Sequence, residues 1–365
     1  MNWSRFNRLG LAIAAVLVVA ACGSTSTAGS TDWSTQTTAS AGGGMDALVA
    51  AAKAEGKLTV IALPPDWANY GAVITGFQTK YGIQVTSLNP NGSSQDEVNA
   101  FDGTAKAPDV VDVGQAVALA NAAKFTPYQV QTWADIPAGA KEATGLWFND
   151  YGGYMGIGYD SSKVPAITSV QDLLLPAFHS KVALAGDPTK SNQGLNGVIM
   201  ASLANGGTLD DISKGVDFFK QLKQKGNYVP VVGTGPTVKS GQTPVLFEWD
   251  YLSASHGKDV STWKIFVPSN AVVGGYYSQA INKQAPHPAA ARLWEEYLYS
   301  NEGQNLWLKG GARPVRQAAM TSAGTIDATA AAALPAVPGT PQVPTGDQTS
   351  KASQYVVANW SQAVS

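Results

Sequence analysis

The chain of 365 residues has a single cysteine, Cys22, which excludes an intrachain disulfide and argues against a thiolate metal site. Charge is also scarce: Asp, Glu, Lys and Arg make up 14% of the residues, against the usual quarter. A formal net charge of −2 leaves no basic field, so nucleic acid is not an expected partner. Only three histidines occur, His179, His256 and His287, widely separated and each in a loop-like context. HExxH and GxSxG are missing, and Gly233–Ser240 lacks the glycine that a Walker A loop carries directly before Lys239. The glycines between 152 and 158 do not fit GxGxxG either. An enzyme is therefore not expected, nor a cofactor, nor a resident metal.

What is present begins at the N-terminus. Arg5 and Arg8 form a positive region ahead of Leu9–Ala21, an apolar run too short to span a bilayer comfortably. It ends in Val19-Ala20-Ala21-Cys22, which resembles the lipobox of bacterial lipoproteins, whose cysteine is lipidated and becomes the new N-terminus. Residues 1–21 are thus expected to be a signal peptide and Cys22 the lipidation site. Residues 22–44 are Ser, Thr and Gly with one aromatic, Trp33, and are expected to be a flexible tether. Without Arg5 and Arg8 the mature chain would carry a charge of about −4.

The body alternates helix-like and strand-like stretches, and 44% hydrophobic content is normal for a globular chain of about two domains. Asp46–Glu55 reads as a helix stopped by Gly56, Lys57–Leu63 as a buried strand, then a helix through Val73, Ile74 and Phe77, with Asp66 or Asn69 able to cap it. Tyr81–Val85 and Ala107–Gly114 read as further strands. Lys181–Gly207 is the most informative stretch. Val182–Ala185 is a strand-length apolar run, Gly186-Asp187-Pro188 breaks it, and Leu195, Val198, Ile199 and Leu203 then recur at helical spacing behind Ser191 or Asn192 as cap. That puts unpaired helix N–H groups beside a strand's carboxyl end, where open α/β sheets bind ligands. The same residues would also make an ordinary connection with no ligand. Later come a buried strand at Pro244–Trp249, strands at Trp263–Val267 and Gly274–Ile281, and a helix at Pro288–Ser300. The last stretch, Gln354–Val364, has the pattern to dock as a helix through Val356, Val357 and Trp360. The expected class is α/β, with mostly parallel sheets flanked by helices.

Several stretches together resemble a known family: EGKLTVIAL, APDVVDVG, YMGIGYDSSKVP, ALAGDPTKSNQG, INKQAPHPAAARLWEEYLYSNEGQ and GGARPVR. The chain is similar to the extracellular solute-binding proteins of bacterial ABC importers, in the group that binds polyamines, ferric iron, thiamine and aminoethylphosphonate. The likeness runs from Asp46 to about Arg316. It implies a two-lobed, type II periplasmic-binding-protein-like fold, hinge closure on a small solute, and delivery to permease and ATPase subunits by a monomer lipid-anchored outside the cytoplasm. On that basis residues 45–153 and 282–365 are expected to form lobe 1 and 161–270 lobe 2. Residues 154–160 and 271–281 would be the crossings.

If strand ends face the cleft, the candidate ligand contacts are Asp66, Trp67, Asn69 and Tyr70, then Gln115, then Asp187, Ser191 and Asn192, then Glu248, Trp249, Asp250 and Tyr251. Tyr276 and Tyr277 point to opposite faces of a strand, so only one reaches the cleft, and Tyr276 is the expected one. Core packing for the aromatics, capping for Asp66 and turn chemistry for Asp187 are the competing roles. Glu248-Trp249-Asp250-Tyr251 places two carboxylates and two aromatics at the end of a buried strand, which suits an amine-bearing, polyamine-like cation. Helix N-termini at Asn69 and Ser191 favour an anion such as a carboxylate or phosphonate, and the family also includes ferric-iron binders. A zwitterion would satisfy both ends. The double change Glu248→Ala with Asp250→Ala is expected to abolish binding of a cationic ligand, and unchanged affinity would place the site elsewhere.

Overall fold

The computed structural model describes residues 31–101, 106–335 and 337–365. The expected signal peptide, Cys22 and the tether as far as residue 30 lie outside the described residues. The body opens with helix α1 (Met45–Glu55), strand β1 (Lys57–Ile61), helix α2 (Tyr70–Tyr81), strand β2 (Gln84–Leu88), helix α3 (Ser94–Asn99), strand β3 (Val110–Gly114) and helix α4 (Gln115–Ala120). Then come β4 (Phe125–Thr126), the long β5 (Phe148–Asp160), β6 (Val182–Leu184), α5 (Asn192–Ala204), α6 (Ser213–Gln224) and β7 (Tyr228–Val232). These lead to α7 (Gly235–Ser240), β8 (Val245–Trp249), α8 (Asp250–His256), β9 (Trp263–Phe266) and β10 (Gly274–Asn282). The chain closes with α9 (Pro288–Leu298), α10 (Asn301–Lys309), β11 (Arg313–Pro314), α11 (Gln317–Ser322), α12 (Ala328–Ala332) and α13 (Gly346–Val364).

Among the described residues, nine strands join one sheet whose main path runs β3-β10-β5-β8-β6-β7, while β1 and β2 pair in parallel beside it. Asp109, just ahead of β3, links the two: its N–H donates to the Thr59 carbonyl and its Oδ2 accepts from the Thr59 N–H, both at 2.7 Å. β6 is parallel to β7 and β8, as expected, but β5 and β10 are antiparallel to their neighbours because they carry the chain back across the sheet. β7 contains Pro230, which lacks an N–H, and it sits at the sheet edge where that loss is tolerated.

β5 connects the two halves. Its residues Phe148–Tyr154 pair with β10, and from Met155 onward it pairs with β8 and β9. The change of partners sits beside Gly153, where a Cβ atom would lie 2.7 Å from Asp250 Oδ1 and equally close to the Tyr251 ring, so only glycine lets the strand through. A buried ion pair clamps the same point. Arg313 on β11 donates through Nη1 to Asp250 Oδ2 at 2.7 Å and lies 4.5 Å over the Tyr154 ring. Asp250 Oδ1 in turn accepts the N–H groups of Tyr154 and Tyr251, each at 3.0 Å. Asp250 was expected to face a ligand alongside Glu248, but strand alternation stops at Trp249, and Asp250 as the first residue of α8 turns into the crossing instead.

The two ends of the described chain also depart from expectation. From Asp32 on the tether is docked: Trp33 is 4% exposed and packs against Gly42. Buried Arg292 on α9 holds the carbonyls of Ser34 and Gln36 at 3.0 and 2.7 Å. One aromatic and one buried guanidinium thus fix a stretch whose composition reads as free. At the other end α13 docks as expected through buried Val356 and Trp360, the latter edge-on to Phe219 of α6, while Val357 is 59% exposed. It packs on α6, α5 and α4, so the tail does not stay with the first half of the sheet as the 282–365 assignment supposed. No helix among the described residues is long and apolar enough to cross a membrane.

Removing the guanidinium strands Asp250 as a buried charge, which costs about 3–5 kcal/mol. Arg313→Ala is therefore expected to lose stability on that scale in urea denaturation. A loss under about 1 kcal/mol would contradict the clamp.

Candidate functional site

A cavity of about 390 Å³ opens where the loops after β1 and β6 meet side chains of β3, β8 and β10. Asp66, Trp67, Ser94, Asp96, Glu97, Asp112 and Tyr277 line one side. Asp187, Lys190, Ser191, Gln193, Thr234, Glu248 and His256 line the other. The size is at the lower end of the range for small-molecule sites. Six carboxyl side chains against one lysine make the lining acidic, and that decides which charge it attracts.

The first side is built around Asp112, a lone acid inside an otherwise apolar strand. Its N–H donates to Glu97 Oε2 at 2.9 Å, and its Oδ2 accepts the hydroxyls of Tyr70 and Tyr151, each at 2.8 Å. Trp67 Nε1 donates to the Tyr151 oxygen at 2.8 Å, so the indole on the cavity wall is locked to the carboxylate network behind it. Tyr151 stacks on Tyr277 with ring centroids 5.7 Å apart, and Trp67 meets Tyr277 edge-on at the same distance. Asp112 Oδ1 has no hydrogen-bond partner. Burial pushes the Asp112 carboxyl up to about 7, against hydrogen bonds from Tyr151, Tyr70 and Asp150 that pull it down. Burial and then the Asp112 charge hold both Glu97 and Asp150 well above the usual carboxylate range.

The second side is fixed by Gln193. Its Nε2 donates to the Ala185 carbonyl at 2.7 Å and its Oε1 accepts the Trp249 N–H at 2.8 Å, stitching the end of β6 to the end of β8. Glu248, 1% exposed, shares its Oε2 with His256 Nε2 at 2.9 Å, while its Oε1 has no partner. Burial raises the Glu248 carboxyl, and the hydrogen bond and charge of His256 and a hydrogen bond from Ser253 oppose this. For His256, burial pulls the imidazole down, but the hydrogen bond and charge of Glu248 win and its pKa ends above the ordinary value.

Of the residues anticipated from the sequence, Asp66, Trp67, Asp187, Ser191 and Glu248 line the cavity. The others do not. Asn69 adopts a left-handed backbone and donates to the Leu306 carbonyl at 2.8 Å instead of capping α2. Tyr70 stands behind Asp112, and Gln115 begins α4 away from the opening. Asn192 contributes to a second, small cavity of about 20 Å³ where it packs on Gly114. Trp249 and Tyr251 are core, Asp250 belongs to the crossing, and Tyr276 faces Tyr154 and Arg313 on the opposite side of β10. Tyr277 takes the place expected for Tyr276 because the register of β10 against β5 shifts between Tyr276 and Ser278. Asp187 has the turn role too: its Oδ1 accepts the N–H and hydroxyl of Thr189 at 2.9 and 2.7 Å. Asp112, Glu97 and His256 were missed. The second acid of APDVVDVG, set between valines, was a readable signal, since a carboxylate is seldom buried without a reason.

Residues 108–333 match the family described as bacterial extracellular solute-binding protein. No curated protein sequence matches the chain. Among solved structures, iron-bound HitA from Pseudomonas aeruginosa is similar, with a TM-score of 0.63, 20% identity, and 84% of this chain and 99% of that chain covered. AfuA from Actinobacillus pleuropneumoniae with exogenous fructose-6-phosphate bound gives a TM-score of 0.66 at 17% identity, covering 84% and 98%. AgtB from A.tumefacien R10 in complex with agropinic acid gives 0.65 at 14%, covering 84% and 98%. At these identities the likeness shows the fold, which is the type II periplasmic-binding-protein-like α/β architecture.

The Glu248–His256 pair has a direct readout. By histidine NMR titration, His256 is expected to titrate above its ordinary 6.5, and Glu248→Gln to bring it below that value. A wild-type imidazole titrating at or below 6.5 would show that Glu248 does not hold it.

Proposed function

The chain belongs to the bacterial extracellular solute-binding proteins, and from that premise we propose that its cleft captures a small amine-bearing, polyamine-like cation. The observation that carries this reading is a pair of unfinished acceptors. Asp112 Oδ1 and Glu248 Oε1 are buried without partners, on β3 and β8, and both residues line the same cavity. A buried carboxylate oxygen with nothing to accept from is costly, and an ammonium supplies both the donor and the charge. Neither residue forms an ion pair with Lys or Arg among the described residues. Trp67 and Tyr277 add aromatic faces, worth about 0.5–2 kcal/mol each to a cation that sits on them.

Within this reading the solute bridges the two halves, the halves close over it, and the loaded form is the one an ABC permease and its ATPase receive. Residues 154–160 and 271–281 act as the crossings, and the protein works as a monomer held outside the cytoplasm by lipid on Cys22 after removal of residues 1–21. Ferric iron or an anion as cargo finds less support. The Tyr70 and Tyr151 hydroxyls are spent on Asp112, and the Tyr277 oxygen lies 3.4 Å from Trp249 Nε1. Lys190, the one lysine on the lining, is exposed.

A thermal-shift panel of diamines, polyamines, amino acids, aminophosphonates, thiamine, sugar phosphates and ferric iron tests the reading. A cognate amine at a hundredfold excess over its Kd adds about 2.7 kcal/mol of stability, and the melting point rises accordingly. Stabilisation by phosphates, carboxylates or iron with none by any amine would overturn it.

A further inference from the structure

The two oxygens of Asp112 have different surroundings. Oδ2 is filled by the hydroxyls of Tyr70 and Tyr151, and neither phenol can turn around. The Tyr151 oxygen already accepts from Trp67 Nε1 at 2.8 Å, and the Tyr70 oxygen accepts from Gln279 Nε2 at 3.1 Å. Gln279 lies opposite Asp112 in the β3–β10 register, and the same Nε2 donates to Asp150 Oδ2 at 2.8 Å. Indole and amide N–H groups only donate, and each phenol has one hydrogen to give. The direction of donation therefore runs one way, from Trp67 and Gln279 through the tyrosines to Oδ2. Oδ1 takes no N–H or hydroxyl hydrogen, on a residue 6% exposed that lines the cleft, and the one further group that hydrogen-bonds this carboxyl is the Asp150 carboxyl.

We propose that Tyr70 and Tyr151 are positioning residues for solute capture: by filling Oδ2 they leave Oδ1 of Asp112 as the atom for which a proton and the solute's N–H compete. This rests on the amine reading of the cleft. Capture on the protonated acid is then an exchange, in which Asp112–COOH and R–NH3+ give the carboxylate–ammonium pair and one proton released to water. The groups that face Asp112 are acids and phenols: Asp150 on β5, Glu97 on α3, Glu295 on α9, Tyr277 on β10, Tyr251 on α8 and Tyr299 after α9. Asp150, Glu97 and Glu295 are held well above the usual carboxylate range, first by burial and then by the Asp112 charge. Asp112, pushed up to about 7, shares a hydrogen bond with Asp150, so the two titrate as a pair.

The sign follows from competition. Below the Asp112 pKa the proton holds Oδ1 and affinity falls about tenfold per pH unit; above it affinity reaches a plateau, because an aliphatic ammonium stays charged to about pH 9. Isothermal titration of 1,4-diaminobutane and of spermidine between pH 5.5 and 8.5, in two buffers of different ionisation enthalpy, reads both affinity and protons released. The expected result is a crossover near pH 7 and about one proton released per amine bound at pH 6. In Tyr70→Phe and Tyr151→Phe the carboxylate loses a donor, so the crossover moves to higher pH. The wild-type buffer comparison stands even if a variant does not fold. Amine binding with a flat pH profile, Phe variants that weaken binding at every pH without moving the crossover, or a crossover that disappears in His256→Gln would overturn the inference and leave the amine reading intact. No amine binding at any pH would overturn that reading itself.

Discussion

The hydrogen bonds that Tyr70 and Tyr151 give to Asp112 tie α2, β5 and β3 together at one atom, and Gln279 brings β10 into the same knot. A carboxylate taken out of water costs several kcal/mol unless something replaces the water. Here the replacement on one oxygen comes from neutral donors and not from a cation, so the charge is tolerated but not cancelled. Glu248 across the cavity has on Oε2 a histidine whose pKa it raises, while Oε1 has no partner. Had either acid been paired with arginine, as Asp250 is with Arg313, it would contribute to the fold and have little left for a ligand. The difference between Asp250 and Glu248, two residues apart, separates the crossing from the cleft.

The rest of the structure serves to hold those two acids on opposite walls. β5 passes between two sets of strand partners at a glycine that admits no side chain, and the Arg313–Asp250 pair fixes the angle of that passage. Gln193 fixes the end of β8, so that Glu248 is presented by a strand whose neighbour cannot slip. Trp67 joins wall to network: its ring lines the cavity and its N–H is committed behind it. A solute packed on that ring touches a side chain already coupled to Asp112.

Much of this was legible in the sequence and the rest failed for specific reasons. The strand-turn-helix of Lys181–Gly207, the crossing at YGGYMGIGYD and the late helices were readable because apolar periodicity and glycine breaks mark them strongly. The rule that ligands meet strand ends picked loops that border the cavity, and Asp66, Trp67, Asp187, Ser191 and Glu248 line it. It does not say which side chain of a loop turns inward. Asn69, Asp250 and Tyr276 were misplaced by a left-handed residue, by the change from strand to helix at Trp249, and by a register shift, none of which leaves a mark in composition. Asp112 was overlooked because it sits inside a strand and not after one. Trp33 and Arg292 show that a polar segment can be docked by two long-range contacts that no local window contains.

The central claim is that one buried carboxylate oxygen on each wall is left without an N–H or hydroxyl donor, for a nitrogen-bearing cation to complete. A crystal structure of the protein in complex with the amine that most stabilises it tests this directly. The account predicts ligand nitrogen within hydrogen-bonding distance of both Asp112 Oδ1 and Glu248 Oε1, with Tyr70 and Tyr151 still on Oδ2. A ligand bound at the α5 end of the cleft with both acids left unpaired would contradict it.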